Sequence, residues 1–402
     1  MKVVDIRATS VTVPLHRPLR WSFGVEFTTT RTVVELITDE GLIGVGETRG
    51  GDEIVRSLEL HRDLYIGLDP LEVSRITRRF SVFRMTSEQL ALVGAAKLAG
   101  AAVEMACWDL VGKVLGKRCG DLWGGIEQEQ IEFAAYVFYR YASATDIGKG
   151  DTPEDAVDHA EELFERFGFR DIKFKNGVLN PQQEIRSVRL MRERLDGRLR
   201  YLRIDPNAVW SVQTSIRVLN EITDYGLEFC EDPTWGIEGM SLVRQRVSVP
   251  LATNMCCVTF EQIPLAVRAR AIDVILGDVH FWGGPSSVLQ LAKICETFNI
   301  GFSLHSDREL GISTAAVLHV AAAESMLSHA IDSHLPEQAD DIITVPFQIE
   351  NGCIGVPTGP GLGVEIDQDK LRFYAEYHRK VGEGSEFVDP ARANFRAKFP
   401  KF

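Results

Sequence analysis

The sequence predicts a (β/α)8 TIM-like barrel with an α+β capping domain formed by the N-terminal region and the C-terminal tail. Three observations predict it. From about residue 130, eight short apolar runs end in polar or charged residues and are separated by helical stretches, recurring at roughly 25 to 40 residues, the length of a βα unit. The first 50 residues instead alternate in the manner of antiparallel strands. The last 55 or so residues are too many for a ninth barrel element and are expected to fold back on the N-terminal domain. The expected divisions are 1–125 for the capping domain, 126–345 for the barrel and 346–402 for the returning segment.

Composition narrows the function classes. A chain of 402 residues with 45% hydrophobic and 25% charged residues is globular, which excludes a disordered, collagen-like or coiled-coil protein. Fifty-seven acidic against 44 basic residues leave a net charge of −13, so neither nucleic acid nor membrane is an expected partner. The seven cysteines (Cys107, Cys119, Cys230, Cys256, Cys257, Cys295 and Cys353) form no C-x-x-C pair and suit a reduced compartment. The opening MKVVDIRATSVTV carries Asp5 and Arg7 where a signal peptide would be uninterrupted, so a cytoplasmic location is expected. The apolar stretch Leu90–Leu115 is broken by Lys97, Glu104, Asp109 and Lys113 and reads as a buried helix. A small-molecule substrate and a homo-oligomer are expected.

Taken in order, Val3–Val13, Thr32–Thr38 and Leu42–Glu47, with a turn at Asp39-Glu40-Gly41, predict a small β-meander. Pro14–Thr30, with His16, Arg17, Arg20, Trp21, Gly24 and Glu26, reads as a loop rather long for a connector. Helical patterns run from about Glu53 to Leu115 and stop near Gly116 and Gly120. The barrel strands are predicted at Phe133–Val137, Asp171–Lys175, Tyr201–Asp205, Leu227–Glu231, Leu251–Asn254, Val274–Asp278, Gly301–His305 and His329–Asp332. An open doubly wound sheet is disfavoured because no G-x-G-x-x-G follows the first strand; Gly44-Val45-Gly46-Glu47 has the wrong downstream spacing. Asn351-Gly352 between Phe347–Glu350 and Ile354–Val356 predicts a hairpin, and an amphipathic helix follows Pro360–Asp367.

The active site of a barrel is built at the C-terminal ends of its strands, and here those ends form a chemical set. Lys173 and Lys175, two apart, fall on one face of the second strand; mutual repulsion would leave one of them a base near neutral pH. Asp205, Glu231 and Asn254 end three successive strands, and oxygen donors of this kind suit a hard cation, Mg2+ better than Ca2+. Asp278 and His305 end the sixth and seventh strands, where the carboxylate is expected to accept the His305 Nδ1 proton and raise its basicity. His334, beyond the eighth strand, is within reach of the same mouth.

This arrangement of K-x-K, three metal-type ends and an Asp-His dyad behind a capping domain resembles the enolase superfamily. Within it, Asp205-Pro206-Asn207-Ala208-Val209-Trp210, Glu231-Asp232-Pro233, Ala252-Thr253-Asn254-Met255, Asp278-Val279-His280-Phe281-Trp282 and Ile331-Asp332-Ser333-His334 look like the glucarate dehydratase group. The resemblance implies that Asp205, Glu231 and Asn254 bind Mg2+, that Lys175 is one base and Asp278-His305 the other, and that Lys173 stabilises a substrate carboxylate. Tyr136, Phe138, Asn207, Ser306 and His334 match substrate-pocket positions. The implied activity is Mg-dependent dehydration of an acid sugar to a 2-keto-3-deoxy acid; a racemase or epimerase would use the same bases, and a non-catalytic binding barrel or a Schiff-base aldolase is the remaining reading. Three departures bear on the substrate: Ser306-Asp307-Arg308 stands where the group reads Ser-Asn-Asn, Glu26 falls where a histidine is expected, and Gly382-Glu383-Gly384-Ser385 lacks an arginine that grips a distal carboxylate.

Overall fold

In the computed structural model, which describes residues 1–77, 92–384, 387–392 and 394–402, the N-terminal strands are longer than the sequence predicts. β1 (Val3–Trp21) and β2 (Gly24–Thr38) form one hairpin whose ladder runs to Trp21 opposite Gly24, with a register shift between Pro14 and Leu19. The expected loop Pro14–Thr30 is therefore strand, turning only at Ser22-Phe23. The reason is non-local: Leu15 and Leu19 bury against Tyr136 and Phe138, and Leu19 and Arg20 pair with β5 (Tyr139–Arg140), a short strand just past the first barrel strand that joins the capping sheet. β3 (Ile43–Arg49) completes the antiparallel sheet.

Helix α1 (Asp52–Leu60) and the long α2 (Leu92–Leu115) cover this sheet. Gly44 and Gly46 of β3 let α2 approach: a Cβ at Gly46 would lie 2.0 Å from the Ala102 carbonyl oxygen, and one at Gly44 2.2 Å from that of Ala106. The glycines set aside as a failed dinucleotide fingerprint thus serve packing. The helical expectation for residues 78–91, including Leu90, falls outside the described residues. Among those described, no helix is long and apolar enough to cross a membrane.

After the short α3 (Cys119–Leu122) the chain enters the barrel. β4 (Gln130–Val137), β6 (Ile172–Lys175), β7 (Leu202–Asp205), β8 (Leu227–Glu231), β9 (Leu251–Thr253), β10 (Val274–Gly277), β11 (Gly301–Leu304) and β12 (Ile331–Asp332) lie parallel in the order β11-β10-β9-β8-β7-β6-β4-β12. This is the predicted, nearly closed eight-stranded barrel. Asn254, Asp278 and His305 stand one residue beyond their strands.

The helices between strands are α4 (Pro153–Phe167), α5 (Pro181–Arg194), α6 (Val212–Glu221), α7 (Gly236–Arg244), α8 (Ile263–Ala269), α9 (Pro285–Phe298) and α10 (Gly311–Ala323). Local sequence starts several of them: Thr152, Asn180 and Ser211 accept backbone N–H groups as N-caps, and Pro153 and Pro181 follow the first two. α10 is apolar around most of its circumference because it is packed between barrel and capping sheet.

Asn351 (φ 53°) and Gly352 (φ 75°) make the predicted tight turn, but β13 (Cys353–Gly355) ladders onto β4; Phe347–Glu350 contributes a single bridge, Glu350 to Cys353. Helix α11 (Gln368–Val381), N-capped by Asp367, packs on β1. The tail then crosses the barrel mouth. Val388 O accepts from Val25 N (2.9 Å), and Lys401 Nζ donates to Gly177 O (2.8 Å) and Val178 O (2.9 Å) in the loop after β6.

Candidate active site

Alternation along β6 sends both lysines into the barrel, where each meets carboxylates from neighbouring strands. Lys173 Nζ lies 2.7 Å from Glu231, 3.4 Å from Asp332 and 3.5 Å from Asp205; Lys175 Nζ lies 2.5 Å from Asp205. Both ammonium groups also stand over the Tyr136 ring, at 4.9 and 5.6 Å. Burial opposes the charge on each lysine, but Asp332 and Glu231 around Lys173, and Asp205 beside Lys175, outweigh it and raise both above the ordinary lysine value. The expected mutual depression is overturned, because each lysine is closer to a carboxylate than the repulsion argument allowed.

Asp205, Glu231 and Asn254 are brought together on β7, β8 and the end of β9. Burial opposes ionisation of Asp205, yet Lys175 and Lys173 pull it below the usual carboxylate range; burial and then Asp205 push Glu231 up to about 7. Asp232 fixes the third position: its carboxylate accepts from Thr253 Oγ1 (2.6 Å) and from the backbone N–H of Asn254 (2.8 Å) and Met255 (3.0 Å). Asn254 Oδ1 and both carboxylate oxygens of Glu231 are buried without a well-directed hydrogen bond, a donor set that fits a hard cation. Among the described residues no group of three or more His, Cys, Asp or Glu side chains is arranged for a metal, in keeping with a third donor that is an amide.

On the other side, Asp278 Oδ1 accepts from His280 N (2.8 Å) and Phe281 N (2.5 Å), which aims Oδ2 at His305. The dyad forms through the opposite ring nitrogen from that expected. His305 Nε2 lies 3.3 Å from Asp278, whereas Nδ1 lies 3.2 Å from the Ser306 carbonyl oxygen and 3.3 Å from Asn254 Nδ2. That carbonyl and the Asn254 amide occupy the Nδ1 side, so the carboxylate meets Nε2. Burial opposes the imidazolium, but the Asp278 hydrogen bond and charge raise its pKa to about 9.

Lys175, Asn254 and His305 open onto one cavity of about 500 Å3, together with Tyr136, Phe138, Asn207, Ser306, Asp307, His334 and Glu26. Lys173, Asp205, Glu231 and Asp278 lie beneath it, almost wholly buried. Ser306 Oγ joins His334 Nδ1 (2.8 Å) to Glu309 (2.6 Å), and burial, then Arg308, keep His334 neutral well below its ordinary value. Asn207 adopts φ 51°, its N–H donating to Asp205 Oδ1 (2.9 Å).

The two departures at Asp307 and Glu26 are paired across the domains. Asp307 Oδ1 accepts from Arg49 (2.8 Å), its carbonyl from Arg31 (2.8 Å), and Arg308 reaches Glu26. Burial opposes the Asp307 charge, and Arg49, Arg308 and Arg31 hold its pKa far below the usual range regardless. Glu47, from the string Gly44–Glu47, accepts from Arg31 (2.7 Å) and from Leu310 N and Ser313 N (2.9 Å each) at the start of α10. Sequence reasoning gave no role to Arg31, Arg49, Glu47 or Asp332. Asp332 carried a usable signal, a carboxylate ending the eighth strand; the others sit on capping strands with no local marker. Of the segment lacking the distal arginine, Ser385 is outside the described residues.

Two family descriptions match this chain: "Mandelate racemase / muconate lactonizing enzyme, N-terminal domain" over residues 3–124 and "Enolase C-terminal domain-like" over 155–370. A probable glucarate dehydratase of Streptomyces coelicolor is 38% identical over 86% of this chain and 84% of its own. A chloromuconate cycloisomerase of Cupriavidus necator is 27% identical over 93% and 99%. The crystal structure of an enolase from Thermobispora bispora, complexed with magnesium and formate, superimposes with a TM-score of 0.91 at 37% identity over 100% of both chains. With the capping sheet, the parallel barrel and both family descriptions in agreement, this chain belongs to the enolase superfamily.

Proposed function

We propose that this enzyme is a Mg-dependent dehydratase of hydroxy acids of the acid-sugar type. The observation that carries the reading is that Lys175 and His305 open onto one cavity from strands separated by β7 to β10 on one side and by β4 and β12 on the other, with Asn254 between them. The likeness to a probable glucarate dehydratase supports it. Asp205, Glu231 and Asn254 would hold Mg2+, which, when bound, supplies the electrophile that acidifies the proton α to a substrate carboxylate.

Lys173 places a buried positive charge where the carboxylate gains its second negative charge. Lys175 would take the α-proton in its neutral form, which requires that Asp205, whose contact holds the ammonium charged, be engaged as a metal donor instead. The Cα–H electron pair forms the Cα–Cβ double bond as the Cβ–O bond breaks. His305, an imidazolium at neutral pH because Asp278 holds it, gives the departing hydroxyl its proton, so water leaves and the enol tautomerises to a 2-keto acid. Asp278 holds Nε2, so the proton would be delivered from Nδ1, on the side of the ring that Ser306 and Asn254 share with the cavity.

The test is a screen of purified protein with Mg2+ against mono- and diacid sugars for 2-keto acid. Accumulation with at least one β-hydroxy acid is expected; none across the panel contradicts the reading. Epimerisation is the second reading, favoured by acid/base groups on two sides of one cavity. Solvent-deuterium entry at Cα with inversion and no keto product would select it.

A further inference from the structure

The upper wall of the cavity is chemically divided. Two of the cations at its capping end are neutralised in place: Arg49 pairs with Asp307 (2.8 Å) and Arg308 with Glu26, all four lining the cavity, so their nominal charges cancel. The outer wall is aromatic. Trp21 and Phe23 come from the β1–β2 turn, Trp235 from the loop after β8 and Phe387 from the tail. Trp21 meets Phe23 edge-on at 5.0 Å, and Phe399 bridges the outer rings, stacked on Phe23 at 5.7 Å and edge-on to Trp235 at 5.3 Å. Trp235 and Phe387 are 58% and 59% exposed, so flat apolar surface faces the opening.

We propose that the substrate is a monocarboxylic hydroxy acid whose far end is uncharged and presents a ring face to Trp21, Phe23 and Trp235, and not a dicarboxylic acid sugar. The inference rests on the reading above, in that it seats the reacting carboxylate at Lys173 and Asn254. A second carboxylate at the capping end would lie beside Glu26 and Asp307 and would have to displace one of them from its arginine. A cavity of about 500 Å3 lies in the range that takes drug-sized ligands and exceeds what a six-carbon acid fills. The ring face is supplied equally by a glycosyl unit or an aryl group. Lys97 of α2 also lines the cavity and is the group through which a second carboxylate would be gripped if the inference fails.

The experiment is calorimetric titration of the full chain in Mg2+ with gluconate, glucarate, 4-O-glucosyl-gluconate and 3-phenylglycerate. A ring-bearing acid is expected to bind at least about tenfold tighter than gluconate, and glucarate about tenfold weaker. Preference for the glucosyl acid assigns the ring to a sugar, preference for the phenyl acid to an aryl group, and either supports the inference. Trp235→Ala should abolish the ring-bearing advantage while leaving gluconate within about twofold, and Glu26→Gln, by releasing Arg308, should improve glucarate. Glucarate bound tighter than gluconate, with that advantage lost in Lys97→Met, overturns it, as does equal affinity for ring-bearing and plain monoacids or no binding of any acid at about 10 mM. Affinities are read without turnover: monoacid preference with no keto product defeats the dehydratase reading alone, and diacid preference with keto product defeats this inference alone.

Discussion

Arg308, in the loop after β11, reaches Glu26 on β2 of the capping hairpin, and their side chains are only 11% and 3% exposed. The pair ties two domains together directly over the cavity. Breaking it from one side removes a buried partner: Glu26→Gln alone is expected to cost about 3 kcal/mol, and Glu26→Gln with Arg308→Met less than the sum of the two single changes. Denaturant unfolding of the four proteins of this cycle measures the coupling; strict additivity would show that the pair contributes nothing.

Gly46 gives a second prediction. A methyl group there would sit 2.0 Å from the Ala102 carbonyl oxygen, which belongs to helix backbone and has little room to yield. Gly46→Ala is expected to destabilise the chain by about 2 kcal/mol or more, with Gly41→Ala, which meets no heavy atom within 4 Å but has φ 81°, as the comparison for backbone strain alone. A melting temperature unchanged in Gly46→Ala would mean that the sheet and α2 slide apart at little cost.

Glu184 of α5 sets a pH dependence away from the catalytic groups. Its Oε1 accepts from Val178 N (2.8 Å) and Leu179 N (3.0 Å), and burial pushes its carboxyl from 4.5 up to about 7. The folded value lies above the unfolded one, so the stabilisation belongs to the neutral form: it is complete below about pH 4.5 and lost as pH rises through 7. Glu184→Gln should remove up to roughly 3 kcal/mol of this loss, so the variant gains on the wild type between pH 5 and pH 8. Parallel stability profiles for the two proteins would contradict it.

Metal binding can be checked without turnover. Mg2+ should raise the melting temperature of the wild type, and Asn254→Ala, which deletes an amide oxygen that has no hydrogen-bond partner, should weaken Mg2+ binding at least about tenfold. An equal Mg2+ shift in the variant would remove Asn254 from the donor set.

The barrel was legible because its signal is local and repeated, with six of the eight runs ending in a residue of the predicted site: Lys175, Asp205, Glu231, Asn254, Asp278 and His305. What escaped the sequence depends on partners far along the chain. Arg49 meets Asp307 across 258 positions and Arg308 meets Glu26 across 282, so the two departures from the group pattern looked unrelated although each is paired across the boundary between capping domain and barrel. The same distance hid the extension of β1, whose far end is ordered by Tyr139 and Arg140. Protonation was misread for a related reason. Repulsion between Lys173 and Lys175 follows from their spacing, whereas the stronger pull of Asp205, Glu231 and Asp332 comes from three other strands.

The most direct measurement of the central claim is exchange of the substrate α-proton with deuterated solvent, followed by proton NMR beside 2-keto acid formation in Lys175→Ala and His305→Asn. Lys175→Ala is expected to lose both α-proton exchange and dehydration by at least about a hundredfold, whereas His305→Asn is expected to keep the exchange that Lys175 carries and to lose dehydration by at least about a hundredfold. Full dehydration retained in both variants would show that neither side chain moves the proton.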